Sequence, residues 1–96
     1  MNKKSDIINT RFPWLYFEQS FQSELEESFY WYLTDLGIIR FCFEYSPGNK
    51  ITSTLRVWLP FNEWSVIEQE NLVKGLTSQA TTFGLTLPSS KWIEVE

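Results

Sequence analysis

Cys42 is the one thiol of this chain, and no histidine accompanies it. A thiolate nucleophile needs a neighbouring base or cation, and a zinc site needs several Cys or His ligands; neither set is present. Without histidine the commonest general base and the commonest metal ligand are both missing. The twelve carboxylates are scattered over expected turns and helix surfaces, so no acid–base pair is indicated. Gly37, Gly48, Gly75 and Gly84 stand singly and form no phosphate-cradling loop. Taken alone, the chain reads as a non-enzyme with no catalytic, cofactor-binding or metal-binding residue of its own. Cys42 falls in an expected strand, which predicts packing, and a single cysteine makes no internal disulfide.

Rings are what the chain has in quantity. Aromatic residues make up 18% of the 96 positions and apolar residues 43%, which excludes disorder and predicts a core built from rings. The formal charge of −4 and the pI near 4.8 argue against broad binding to phosphate backbones and for a basic partner. No apolar run reaches membrane-spanning length, and the polar start from Met1 to Asp6 leads into no secretory segment. These features predict a soluble, cytoplasmic protein.

The elements that position the rings follow from periodicity. Residues 1–11 read as a flexible tail, with Ile7 and Ile8 as their one apolar pair, and residues 12–96 read as one domain. From Phe12 to Gln19 the pattern fits a strand, with Leu15 and Phe17 on one face and Trp14, Tyr16 and Glu18 on the other. Ser23 and Glu26 have capping-box spacing; Leu25, Phe29, Tyr32, Leu33 and Leu36 follow at helical intervals, and Gly37 ends the helix. Ile38 to Tyr45 alternates as a second strand, Ser46-Pro47-Gly48-Asn49 turns the chain, and Ile51 to Leu59 returns. Asn62 or Ser65 caps a second helix with Leu72, Val73, Leu76, Ala80 and Phe83 on one stripe before Gly84. Gly75 inside it costs about 1 kcal/mol relative to Ala. Lys91 to Glu96 is a last strand, with Ile93 and Val95 expected inward.

Strand, helix, strand, strand, helix, strand is satisfied most simply by an α+β, ferredoxin-like sandwich: a four-stranded antiparallel sheet with two helices on one face. Alternation then sends Trp14, Tyr16, Arg40, Cys42, Arg56, Trp58, Trp92 and Glu94 to the uncovered side. Exposed Trp, Tyr and Arg are the favoured anchors of protein interfaces, so this face is a candidate docking surface. The plainer alternative is that Arg40 and Arg56 stack on the rings and pair with Glu18, Glu44 or Glu94, leaving a solvated face. Trp31 is a second candidate, projecting away from the apolar stripe beside Glu24 and Glu27, where it suits a basic peptide or protein.

Four pieces carry a resemblance: Trp14-Leu15-Tyr16-Phe17-Glu18; Leu25-Glu26-Glu27-Ser28 with Trp31, Leu33, Asp35 and Gly37; Val57-Trp58-Leu59-Pro60; and Trp92-Ile93-Glu94-Val95-Glu96. In order and spacing they resemble the N-terminal domain of the PrmA-type ribosomal protein methyltransferases, from about Phe12 onward. That resemblance implies a ferredoxin-like domain that recognises a basic ribosomal protein of the large subunit, L-eleven. It implies that S-adenosylmethionine is bound, and amino groups methylated, by a following Rossmann-like domain whose glycine-rich loop this chain lacks. The partner would be the ribosomal protein or the chain's own catalytic domain, with no membrane and no direct nucleic-acid contact. Two readings stay open beside it: a small-ligand regulatory or dimerisation module of the same fold, and stacking of single-stranded RNA on the open sheet, which the net charge opposes.

Overall fold

The computed structural model describes residues 14–60 and 63–95. The expected tail over 1–11, the strand start at Phe12, Asn62 as a cap and Glu96 lie outside the described residues. The chain runs β1 (Trp14–Gln22), a 3-10 turn (Ser23–Leu25), α1 (Glu26–Asp35), β2 (Phe41–Ser46), β3 (Asn49–Pro60), α2 (Val66–Thr82) and β4 (Lys91–Val95). The four strands form one antiparallel sheet in the order β2-β3-β1-β4. This is the α+β, ferredoxin-like arrangement expected from the element order.

Strict alternation writes β1 and β3. Leu15, Phe17 and Phe21 on β1, with Leu55, Val57 and Leu59 on β3, are buried beneath the helices. Leu25, Phe29 and Leu33 of the first helical segment and Leu72, Leu76 and Ala80 of α2 close the same core. Each fully buried Leu, Val or Phe contributes about 1.5–3 kcal/mol relative to exposure. Rings knit the layers: Phe21 meets Phe29 at 4.9 Å and Phe43 at 5.6 Å between centroids. At the edges of the expected stripes, Leu36 and Phe83 are exposed.

Both helices end in the same way. At α1 the Gly37 amide donates to the Thr34 carbonyl and the Ile38 amide to the Leu33 carbonyl; at α2 Gly84 and Leu85 repeat this on Thr81 and Ala80. Gly37 (φ 80°) and Gly84 (φ 74°) supply the left-handed residue that this closure requires. The helix starts differ. Ser65 and Glu68 form a reciprocal capping box at α2. The box expected from Ser23 and Glu26 does not form, because the Ser23 hydroxyl bonds instead to the buried Ser53 hydroxyl of β3 at 2.7 Å and β1 continues to Gln22. β2 likewise begins at Phe41, later than expected: Ile38 is spent as the buried residue of the helix end, and Ile39 is exposed.

The last strand corrects the sequence reading. In the register β1 imposes on β4, Trp92 lies opposite Phe17, Ile93 opposite Tyr16 and Val95 opposite Trp14. Directly opposed residues share a face, so Trp92 belongs to the helix side, its ring 4.6 Å from Phe17, and Ile93 and Val95 emerge on the open side. Glu94, opposite Leu15, is also on the helix side. A buried amide anchors the approach to this strand: Gln19, 1% exposed, donates from Nε2 to the Pro88 carbonyl at 2.8 Å and to the Ser20 carbonyl at 2.9 Å. Those bonds satisfy the one polar side chain on the core face of β1 and hold the loop before β4 in place.

Candidate functional site

Of the seven residues proposed from sequence, the structure gathers Trp14, Tyr16, Arg40, Arg56 and Trp58 on the open sheet face. Trp31 lies on α1, on the opposite side of the sheet, and Trp92 is withdrawn to the helix side. Cross-strand register sorts the open face into two halves. One half is apolar: Pro60, Trp14 and Val95 form one row, and Trp58, Tyr16 and Ile93 the next, with the Tyr16 and Trp58 rings 5.4 Å apart. Arg40 caps this half, its guanidinium carbon 4.9 Å from the Trp14 ring centre.

The other half is an ionic lattice centred on Arg56. Its Nε donates to Glu44 Oε1 at 3.0 Å and Nη2 to the same oxygen; Nη1 donates to Glu18 Oε1 at 3.2 Å and to the Tyr16 hydroxyl. Tyr16 in turn donates to Glu18 Oε1 at 2.9 Å. Bonds to Glu44 and Tyr16 push the guanidinium pKa up further. Desolvation, then the bond to Glu18, raises the Tyr16 phenol, with Arg56 opposing. Arg56 is therefore spoken for by Glu18 and Glu44, as the plainer alternative expected, and is not an unpaired cation. Cys42, expected to pack, is exposed opposite Arg56 on this face.

A second surface is both acidic and aromatic. Trp31 is 56% exposed and meets Tyr30 edge-on at 5.3 Å; Tyr30 meets Phe41 of β2 at 5.8 Å. These rings open a groove between α1 and β2 lined by Glu24, Glu27, Tyr30, Trp31, Phe43 and Tyr45, with Ser23 and Glu26 at its end. Tyr45 donates across that end to Glu26 Oε1 at 2.7 Å, a bond that raises the Tyr45 phenol above its ordinary value. The groove continues along the same strand past Thr34 to Ile38 and Ile39. Its lining carries three carboxylates and no Lys or Arg.

Sequence reasoning identified Trp31 with its glutamates but not Tyr30, Phe43 and Tyr45 as its neighbours, since only the strand order puts β2 beside α1 at the edge. It also missed Trp64, which lines a cleft with Val66, Gln69 and Trp92 between α2 and β4. The signal was an apolar residue immediately before a capping serine. Among the described residues no group of three or more His, Cys, Asp or Glu could hold a metal ion, and no helix is long and apolar enough to cross a membrane.

Neither a protein-family model nor a solved structure matches the sequence. Curated proteins do. The chain is 44% identical over 72 residues, 75% of its length, to a ribosomal protein L11 methyltransferase of Prochlorococcus marinus strain MIT 9313. It is 42% identical over 72 residues to the enzyme of that name from Parasynechococcus marenigrum, and 36% identical over 89 residues, 93% of the chain, to that of Prochlorococcus marinus strain SARG. These alignments take in 24%, 25% and 29% of the respective relatives. Over the aligned stretches the chain is thus similar to part of the ribosomal protein L11 methyltransferases, of whose length it spans about a quarter.

Proposed function

We propose that this chain is the substrate-recognition domain of a ribosomal protein L11 methyltransferase, corresponding to the N-terminal domain of that family, and that it docks the basic ribosomal protein in the cytoplasm. The observation that carries this reading is the 44% identity to such an enzyme over a domain-sized stretch. The groove between α1 and β2 supports it: carboxylates from Glu24, Glu26 and Glu27 surround exposed rings, which suits Lys-bearing surfaces by charge and by cation–π contact. The chain's net charge of −4 acts in the same direction at longer range.

Methyl transfer belongs to S-adenosylmethionine, and the described residues do not fit it. The three positive-φ glycines, Gly37, Gly48 and Gly84, are used in two helix ends and one hairpin, and none forms a glycine-rich strand-to-helix turn. β1 enters its helix through Ser23–Leu25, where Leu25 is buried. In this reading the methyl donor is held by a catalytic domain outside the chain, and the present residues bind and orient the substrate. Titration with purified ribosomal protein L11, followed by Trp emission, tests it. Saturable binding that weakens with added salt is expected; no binding at high micromolar concentrations would overturn the reading.

A further inference from the structure

β2 is an edge strand, and its hydrogen-bonding pattern can be assigned residue by residue. The Trp58 amide donates to the Arg40 carbonyl at 2.9 Å, which makes Arg40 and Trp58 a hydrogen-bonded pair. In an antiparallel ladder such pairs alternate, so Cys42 with Arg56 and Glu44 with Thr54 are also hydrogen-bonded. The main-chain groups of Phe41, Phe43 and Tyr45 therefore point away from β3, toward the edge that no other described strand covers. The side chains of the same three residues line the helix side, and Phe43 and Tyr45 belong to the acidic groove. Donors, acceptors, rings and carboxylates thus converge on one trough.

We propose that the outer edge of β2 is a strand-addition site: an extended, Lys- or Arg-bearing segment of a partner protein pairs with Phe41, Phe43 and Tyr45 and lays its cations against Glu24 and Glu27. Main-chain bonds supply the affinity and the groove supplies the selectivity. Charge decides the occupant. β2 carries no Lys and no Pro, the usual guards of an edge, and its one ionisable side chain besides Tyr45 and Cys42 is Glu44. A second copy would set one acidic groove against another, whereas a basic strand is attracted.

This inference rests on the reading that the chain docks a basic protein, and the experiment separates the two. Amide hydrogen exchange is followed by NMR for the free chain, with ribosomal protein L11, and with an alternating Lys-Val hexapeptide. In the free chain Cys42 and Glu44 should exchange slowly and Phe41, Phe43 and Tyr45 rapidly; the reverse order overturns the assignment. On adding L11 the three edge amides should slow by about tenfold or more. Binding of L11 that leaves them fast overturns strand addition and keeps recognition. Protection by the Lys-Val peptide without L11 binding keeps the strand site and removes L11 as its partner; protection by neither removes both. Tyr45→Pro, which deletes one outward amide and spares the β2–β3 ladder, should weaken binding about two- to tenfold relative to Tyr45→Ala, which keeps that amide. Equal affinities for the two variants would count against the main-chain bond.

Discussion

The phenol of Tyr32 on α1 occupies the space where Gly75 of α2 would carry a side chain: a Cβ built there overlaps the Tyr32 hydroxyl and ring carbons. The two helices approach through this gap, and the Ser28 hydroxyl donates to the Gln79 amide oxygen one turn along. What reads in sequence as a helix-weakening glycine is the condition for seating Tyr32 against the core.

Gly75→Ala should therefore lower stability by about 1–3 kcal/mol, because overpacking outweighs the gain in helix propensity. In a Tyr32→Ala background the same substitution should become neutral or stabilising by up to about 1 kcal/mol. Denaturant midpoints of the four proteins check the coupling, and a helpful Gly75→Ala in the parent chain would refute it.

Placement of Trp92 on the helix side has an energetic counterpart. Trp92→Ala should cost about 2–4 kcal/mol through its lost packing on Phe17. Ile93→Ala, on the open face and 48% exposed, should cost less than about 1 kcal/mol. The sequence-based arrangement requires the opposite ranking, so thermal unfolding of the two variants distinguishes them.

Ser23 matters through Ser53 more than through the helix it precedes. Ser23→Ala leaves the fully buried Ser53 hydroxyl without its partner and should cost about 1–3 kcal/mol, much of which Ser53→Ala in the same chain recovers. Ser65→Ala should cost about 1 kcal/mol, as loss of an ordinary helix cap. Urea titrations of these variants provide the comparison.

For docking, the two surfaces make different predictions. Trp31→Ala should weaken binding of ribosomal protein L11 by about tenfold or more, as loss of an exposed ring anchor does. Glu24→Gln with Glu27→Gln should flatten the salt dependence. Trp58→Ala, across the sheet from the groove, should leave affinity unchanged. A reversed pattern in the binding titration would move the site to the open face.

High pH should weaken the fold in a defined direction. Burial raises the Tyr32 phenol and, foremost, that of Tyr16, while the bond to Glu26 does so for Tyr45, all from an ordinary value of 10.0. Above pH 10.0 the unfolded chain thus binds fewer protons than the folded one, so stability is complete below that pH and is lost as pH rises through the raised values. Denaturant midpoints from neutral to alkaline pH should fall accordingly, and less steeply in Tyr32→Phe.

What could be read from sequence divides along physical lines. β1 and β3 were legible because Leu15, Phe17, Leu55, Val57 and Leu59 alternate with polar or amphipathic residues, and the period of a strand is local. Gly37 and Gly84 were legible as helix stops because a left-handed residue is a local requirement. β4 was not: Trp92, Ile93 and Val95 are all apolar, so alternation offers two faces, and the choice was made by pairing with Phe17 and by Gln19 holding Pro88, contacts distant in sequence. The Ser23 cap failed for the same reason, its hydroxyl being claimed by a strand thirty residues away. Tyr30, Phe43 and Tyr45 became a groove only once β2 was known to lie at the sheet edge.

Cys42 is exposed on the open sheet face, directly across from Arg56, and it is the chain's only thiol. The chain thus carries a built-in attachment point for one maleimide dye or nitroxide, on the open face by register and bordering the far end of the groove at the sheet edge. A label there would report contacts to the open face through quenching or line broadening, with no engineered cysteine. The same thiol makes disulfide-linked pairs the expected product of air oxidation, so a reductant belongs in every preparation whose oligomeric state is to be interpreted.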